Sequence, residues 1–163
     1  MATATELIRE LRDLTGAGIM DCRRALQESG NDLSKAMAWL REQGMAGVGK
    51  KLGREAKQGL IEAYVHGGRL GALIELNCET DFVARTDEFR TLAREIAMHV
   101  AVMEARYLND EHVPADVAAA YPEGKARDDF LKGAVLLRQP HIRNTDTSVG
   151  DMIREAIAKL GEN

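Results

Sequence analysis

Side chains able to do chemistry are sparse in this chain, and the most informative group of them is Thr80-Asp81-Phe82-Val83-Ala84-Arg85. A carboxylate and a bulky aromatic stand side by side there, on a short connection between an apolar, strand-like run and a helical pattern that begins near Asp87. Two readings explain a Phe at such a tip. Phe82 folds back onto the following helix, where Phe89 and Leu92 can receive it, or Asp81 and Phe82 together form a probe inserted into another protein.

Groups suited to bond chemistry are not assembled elsewhere. His66, His99, His112 and His141 show no metal-ligand spacing, and none is matched to a Cys or another clear nucleophile. Asp110-Glu111 and Asp128-Asp129 read as solvated faces rather than a general-acid pair. No phosphate-cradling GxxxxGK[ST] loop exists, and Gly67-Gly68-Arg69 leads into a strand pattern, so it reads as a turn. Cys22 and Cys78 are too few and too far apart for a disulfide framework or a zinc site. They read as reduced core thiols of a cytoplasmic protein. With no catalytic residue, cofactor or metal site assigned, binding is favoured over catalysis of a covalent step.

Composition agrees with a soluble globular chain. Of 163 residues, 45% are apolar and 29% charged, and 22 basic against 26 acidic side chains give a net charge of −4. That balance lacks the basic footprint of a nucleic-acid binder, and aromatics at 4% argue against a base-stacking surface. No run approaches the roughly 20 apolar residues that cross a bilayer. The first ten residues are polar and helical in pattern, so no secretory signal is read there.

Periodicity supplies the elements that must position the 80–85 segment. Three helical patterns fill residues 4–43: Leu7, Ile8, Leu11 and Leu14 mark the first, ended by Gly16 as a left-handed cap. Cys22, Ala25 and Leu26 mark the second. Asp32 caps the third, whose inner side is Leu33, Ala36, Met37 and Leu40 and whose stop is Gly44. A Gly-punctuated linker follows, with Lys50, Lys51, Arg54 and Lys57 giving it positive charge that is either simply solvated or docks on an acidic surface. Two β-rich runs, 59–66 and 70–78, then form a hairpin about Gly67-Gly68-Arg69. A long amphipathic helix over 87–105 covers it with Phe89, Leu92, Ile96, Val100 and Met103. Residues 107–126 read as irregular, a helix is expected over 127–137, and a last helix starts at Ser148 with Asp151 three residues on. The fold class is α+β: a three-helix domain over 1–45, a linker over 46–58, and a core over 59–163 in which helices cover a small antiparallel sheet.

Two segments resemble the signature stretches of the elongation factor Ts family. One is Glu10-Leu11-Arg12-Asp13-Leu14-Thr15-Gly16-Ala17-Gly18-Ile19-Met20-Asp21-Cys22-Arg23-Arg24-Ala25-Leu26, continuing through Gly30-Asn31-Asp32 to Trp39-Leu40-Arg41. The other is Glu75-Leu76-Asn77-Cys78-Glu79-Thr80-Asp81-Phe82-Val83-Ala84. The resemblance implies a ubiquitin-associated-type N-terminal domain that docks on a GTPase, elongation factor Tu, and a guanine-nucleotide exchange role in translation elongation. It implies that Thr80, Asp81, Phe82 and Val83 disturb the Mg2+ and phosphate surroundings of GDP held by that partner. Met20, Arg23, Lys50 and Lys51 are the implied supporting contacts, with Arg23 at a place where the family often carries Lys. The chain itself needs no cofactor in this reading, and no direct nucleic-acid or membrane partner is expected.

The chain departs from the family pattern in two places. Residues 113–127 are fewer than the family usually has there, and Gly161-Glu162-Asn163 is not followed by the apolar, basic strand that completes the family's sheet. The expectation is a hairpin with an unpaired edge; the resemblance implies that short family members pair through this sheet, so the missing strand either works against a homodimer or is replaced by the sheet of another copy. The alternative function is a ubiquitin-associated-type adaptor that binds protein without exchange activity.

Overall fold

The computed structural model describes residues 3–15 and 17–163. The cap expected at Gly16 lies outside the described residues. Two compact units are present, one built from Met1–Arg54 with Glu155–Asn163, the other from Glu55–Arg154.

The first unit opens with α1 (Ala4–Thr15), α2 (Ile19–Glu28) and α3 (Leu33–Val48). Leu11, Cys22, Ala25, Leu26 and Ala36 form its buried centre, with Leu7, Ile8, Leu33, Trp39 and Leu40 packed around them. Asp32 caps α3 as expected, accepting from the Lys35 N–H at 3.0 Å. Two residues assigned to the inner faces are instead outside: Leu14 is 58% exposed and Met37 39%. Nor does Gly44 stop α3, which continues to Val48. Gly44 answers a packing need instead. A Cβ placed there would come within 3.0 Å of the Ala158 Cβ on the last helix, α8 (Val149–Leu160). Residues 155–163 pack in this unit, tied by the Arg41–Glu155 ion pair and by the Asn163 amide, which donates to the Arg54 carbonyl at 2.9 Å.

The second unit is built on the expected hairpin, β1 (Gln58–His66) and β2 (Leu70–Cys78), paired antiparallel from Gln58↔Cys78 to His66↔Leu70. Gly67 and Gly68 carry φ of 54° and 69°, a conformation that the tight turn requires and that side-chain-bearing residues rarely adopt. One face of the hairpin is half-buried through Leu60, Tyr64, Ala72, Ile74 and Leu76, and Phe89, Ala93, Ile96 and Ala97 of α5 (Asp87–Met103) are buried. Burying Phe89 and Ile96 contributes about 1.5–3 kcal/mol each. The helix closes at Glu104 in the left-handed conformation, φ 47°. Met103, expected inside, is 38% exposed as the last residue of the helix.

Beyond α5 the chain is more ordered than its Pro-punctuated sequence suggests. A 3-10 turn spans Asp110–His112 and α6 covers Ala115–Ala119. The Arg127 guanidinium donates to the Ala118 and Tyr121 carbonyls at 3.1 and 3.2 Å, binding that stretch to α7 (Lys125–Ala134). A second small hairpin, β3 (Pro140–His141) with β4 (Asn144–Ser148), was not anticipated. Ser148 starts α8 as expected, accepting from the Asp151 N–H at 3.1 Å.

A buried polar network joins α5 to this later segment. His99 Nε2 lies 2.9 Å from Gln139 Oε1, and the Gln139 amide donates to the Gly133 and Met103 carbonyls at 2.8 and 3.2 Å. His99 Nδ1 accepts from the Ile142 N–H at 3.3 Å. These roles require a neutral ring carrying its proton on Nε2, since a proton on Nδ1 would face another N–H. His141 stacks on His99 with centroids 5.7 Å apart, and its own Nε2 lies 3.6 Å from Glu95, whose carboxylate pairs with Arg143 at 2.7 Å.

Burial holds the His99 imidazole below the ordinary histidine pKa, and His141 pushes the same way against the Gln139 hydrogen bond. The unfolded chain therefore binds the proton more readily than the folded one. The stability that follows is present above the unfolded value of about 6.5 and is lost as pH falls from there through the folded value. Urea unfolding should show a stability that declines below about pH 6.5, by up to about 1.4 kcal/mol per pH unit for this one proton. His99→Gln should lower stability at neutral pH and flatten that decline; an unchanged slope in the variant would remove His99 as its source.

Candidate functional site

The segment between β2 and α5 is a helical turn, not the plain connection expected. Thr80 is extended, with φ −127° and ψ 155°, and caps α4 (Asp81–Ala84), its hydroxyl accepting from the Val83 N–H at 3.4 Å. The Thr80 carbonyl accepts from the Ala84 N–H at 3.3 Å and from the buried Cys78 thiol at 3.1 Å. At the other end the Thr86 hydroxyl donates to the Val83 carbonyl at 2.8 Å and accepts from the Phe89 N–H at 3.2 Å, capping α5. Thr-x-x-Val and Thr-x-x-Phe spacing was the available sequence signal for both caps.

This bonding sets which side chains face water. Ala84 is buried under the turn, while Phe82 is 79% exposed and does not fold into the Phe89 and Leu92 side of α5. Left in water, Phe82 forgoes the roughly 1.5–3 kcal/mol that burial of such a side chain returns. Asp81 is half-buried, and its carboxylate pairs with Arg85 at 2.8 Å, one helical turn on. Val83 is half-buried between them.

The other candidate residues belong to the first unit. Met20 is 70% exposed on α2 beside exposed Ile19, Leu14 is exposed at the end of α1, and Arg23 and Lys50 are exposed. Lys51 differs. It is half-buried, and its ammonium donates to the Ile157 carbonyl at 3.4 Å near the C-terminal end of α8, a position that favours a cation. Among the described residues, no three His, Cys, Asp or Glu side chains converge as a metal cage, and no helix is long and apolar enough to cross a membrane.

Comparison with known proteins bears on this arrangement directly. The family model described as Elongation factor TS matches residues 27–128, a span that contains the 80–83 turn. The chain belongs to the elongation factor Ts family. An elongation factor Ts from Carboxydothermus hydrogenoformans is 46% identical over 98% of this chain and 83% of its own length. One from Coprothermobacter proteolyticus is 46% identical over all of this chain and 93% of its own, and one from Heliobacterium modesticaldum 44% over all of this chain and 85% of its own. Both of these alignments run to 184 positions against 163 residues, so these relatives carry residues with no counterpart here. The role that follows is that of a translation elongation factor in protein biosynthesis.

Within this chain, the two phenylalanines near the turn should behave oppositely. Phe82→Ala should shift urea-unfolding stability by no more than about 0.5 kcal/mol, as for an exposed site. Phe89→Ala should cost about 3–5 kcal/mol by leaving a cavity. A large loss from Phe82→Ala would show that its ring is buried in solution.

Proposed function

We propose that this chain is a guanine-nucleotide exchange factor that binds elongation factor Tu carrying GDP and promotes GDP release. The observation that carries the reading is Phe82, exposed at 79% on a turn bonded at both ends. A flexible loop would lose entropy on insertion, whereas a turn already held in shape loses little.

The chemistry acts on the partner's site. Mg2+ beside a nucleotide is held by few protein ligands, water and phosphate oxygens, and it demands near-ideal octahedral geometry. Phe82, entering beside it, displaces backbone and weakens both metal and phosphate contacts, driven by about 1.5–3 kcal/mol of apolar burial. Asp81 competes for donors that the phosphates use, once it exchanges its Arg85 partner for them. Thr80 and Val83 hold the turn. Met20, Arg23 and Lys50 are docking contacts of the first unit, and Lys51 supports them from its place at the end of α8. By linkage, a factor that weakens GDP binding is itself weakened by GDP to the same degree, so entering GTP releases it. No covalent bond is made or broken, the factor carries no cofactor of its own, and the setting is the cytoplasm.

The outer hairpin face supports a homodimer as well. Ile61, Val65 and Leu73 are each about two-thirds exposed on it, an apolar surface that a second copy would cover. Leu73→Asp should then abolish dimers in analytical ultracentrifugation.

Stopped-flow release of fluorescent GDP from elongation factor Tu tests the exchange reading. The wild type should accelerate release strongly. Phe82→Ala should lower the saturating rate by about ten- to a hundredfold, the range that corresponds to the burial energy lost. Binding without acceleration by the wild type would leave an adaptor and sink the exchange reading.

A further inference from the structure

We propose that Thr86 is a positioning residue for exchange, its hydroxyl holding the 80–83 turn at the angle from which Phe82 enters the partner; this rests on the exchange reading above. A four-residue helix cannot hold its own direction, because it has scarcely one turn of backbone bonds. Its start is held by β2, through the Cys78 thiol on the Thr80 carbonyl. Its end is held by Thr86. That hydroxyl donates to Val83 at 2.8 Å and accepts from Phe89 at 3.2 Å, so one oxygen bonds the turn to the first turn of α5. Phe89 is 4% exposed, which makes α5 the rigid side of the joint.

The consequence is mechanical. Force on Phe82 during insertion passes through Val83 to the Thr86 hydroxyl and into the packed helix. Without the hydroxyl, the Val83 carbonyl keeps the Thr86 backbone N–H at 3.0 Å, so the turn persists but swings more freely. Docking through the first unit does not depend on it. The loss should therefore appear in the rate of the bound complex and not in its affinity.

Thr86→Val removes both side-chain bonds and keeps the shape, Thr86→Ala removes them without the β-branch, and Thr86→Ser keeps them. Ser148→Ala serves as the control, since it deletes a helix cap in the same unit away from the turn. In the GDP-release assay Thr86→Val and Thr86→Ala should lower the saturating rate about tenfold, since small misplacements of a working group carry penalties of that order. The half-saturating concentration should stay within about twofold, the change expected when only the bound-state step is affected. Thr86→Ser should match the wild type, and Ser148→Ala should lower the melting temperature while leaving the rate intact. A wild-type saturating rate in Thr86→Val, a defect in Thr86→Ser equal to that in Val, or an equal loss in Ser148→Ala would each overturn the clamp. A wild type that binds without accelerating release would instead remove the exchange reading, and the clamp with it.

Discussion

The packing of α5 on one face of the β1–β2 hairpin is the constraint on which the second unit depends. Two strands alone are marginal in water, so the hairpin persists because Phe89, Ile96 and their neighbours cover its inner side. That packing holds the chain at Cys78 on one side and at Phe89 on the other. Between those points only a few residues are available, and they close as a capped helical turn. The exposed Phe82 is thus displayed by rigid elements, although it sits in what the sequence presents as a connection. The helix is bound below as well. Its buried His99 meets Gln139, and that bond carries the later segment of the unit onto α5.

The exposed apolar residues separate from those that build the fold. Leu14, Ile19 and Met20 lie around the first connection of the helical unit, Ile61, Val65 and Leu73 share the outer face of the hairpin, and Phe82 stands just past the C-terminal end of β2. Single exposed hydrophobic residues need no explanation, but groups placed on one face of an element mark contact surfaces. Those near Met20 and at Phe82 coincide with segments that resemble the family's signatures. This coincidence links a physical observation, water-exposed apolar area, with residues singled out by type alone.

Much of the fold was legible because its elements are strongly periodic. Phe89, Leu92, Ile96 and Val100 read as one helical face and are buried or half-buried, and the paired glycines at 67 and 68 announced the hairpin turn. The failures have distinct physical causes. Gly44 reads as a helix stop because Gly weakens helices, yet here the missing side chain admits Ala158 from a segment more than a hundred residues away. Such a partner is invisible to local pattern. Leu14 and Met37 matched the helical period but lie outside, because periodicity cannot tell a buried apolar face from an exposed one. The small β3–β4 hairpin was missed because Asn144-Thr145-Asp146-Thr147-Ser148 is polar throughout and carries no alternation. At the candidate site the residues were found by type, whereas the turn that aims them was not. Its signal was two threonines, each three residues before the N–H it caps.

Those threonines decide what the two neighbouring aromatics do. Phe82 and Phe89 are seven residues apart, a spacing that in one continuous helix would place both on the same face. A single helix through this segment would bury both rings or expose both. Breaking it at Arg85 and restarting it at the Thr86 cap resets the phase, so that Phe89 is 4% exposed and Phe82 79%. The same side-chain type can then build the core in one position and stand in water in the other. The break also explains why α4 is so short. It needs only enough backbone to turn Phe82 outward and to tuck Ala84 beneath, and any longer helix would run on into α5 and return Phe82 and Phe89 to one face. A surface aromatic is costly to keep, and the capping hydroxyls are the least structure that keeps this one both outside and aimed.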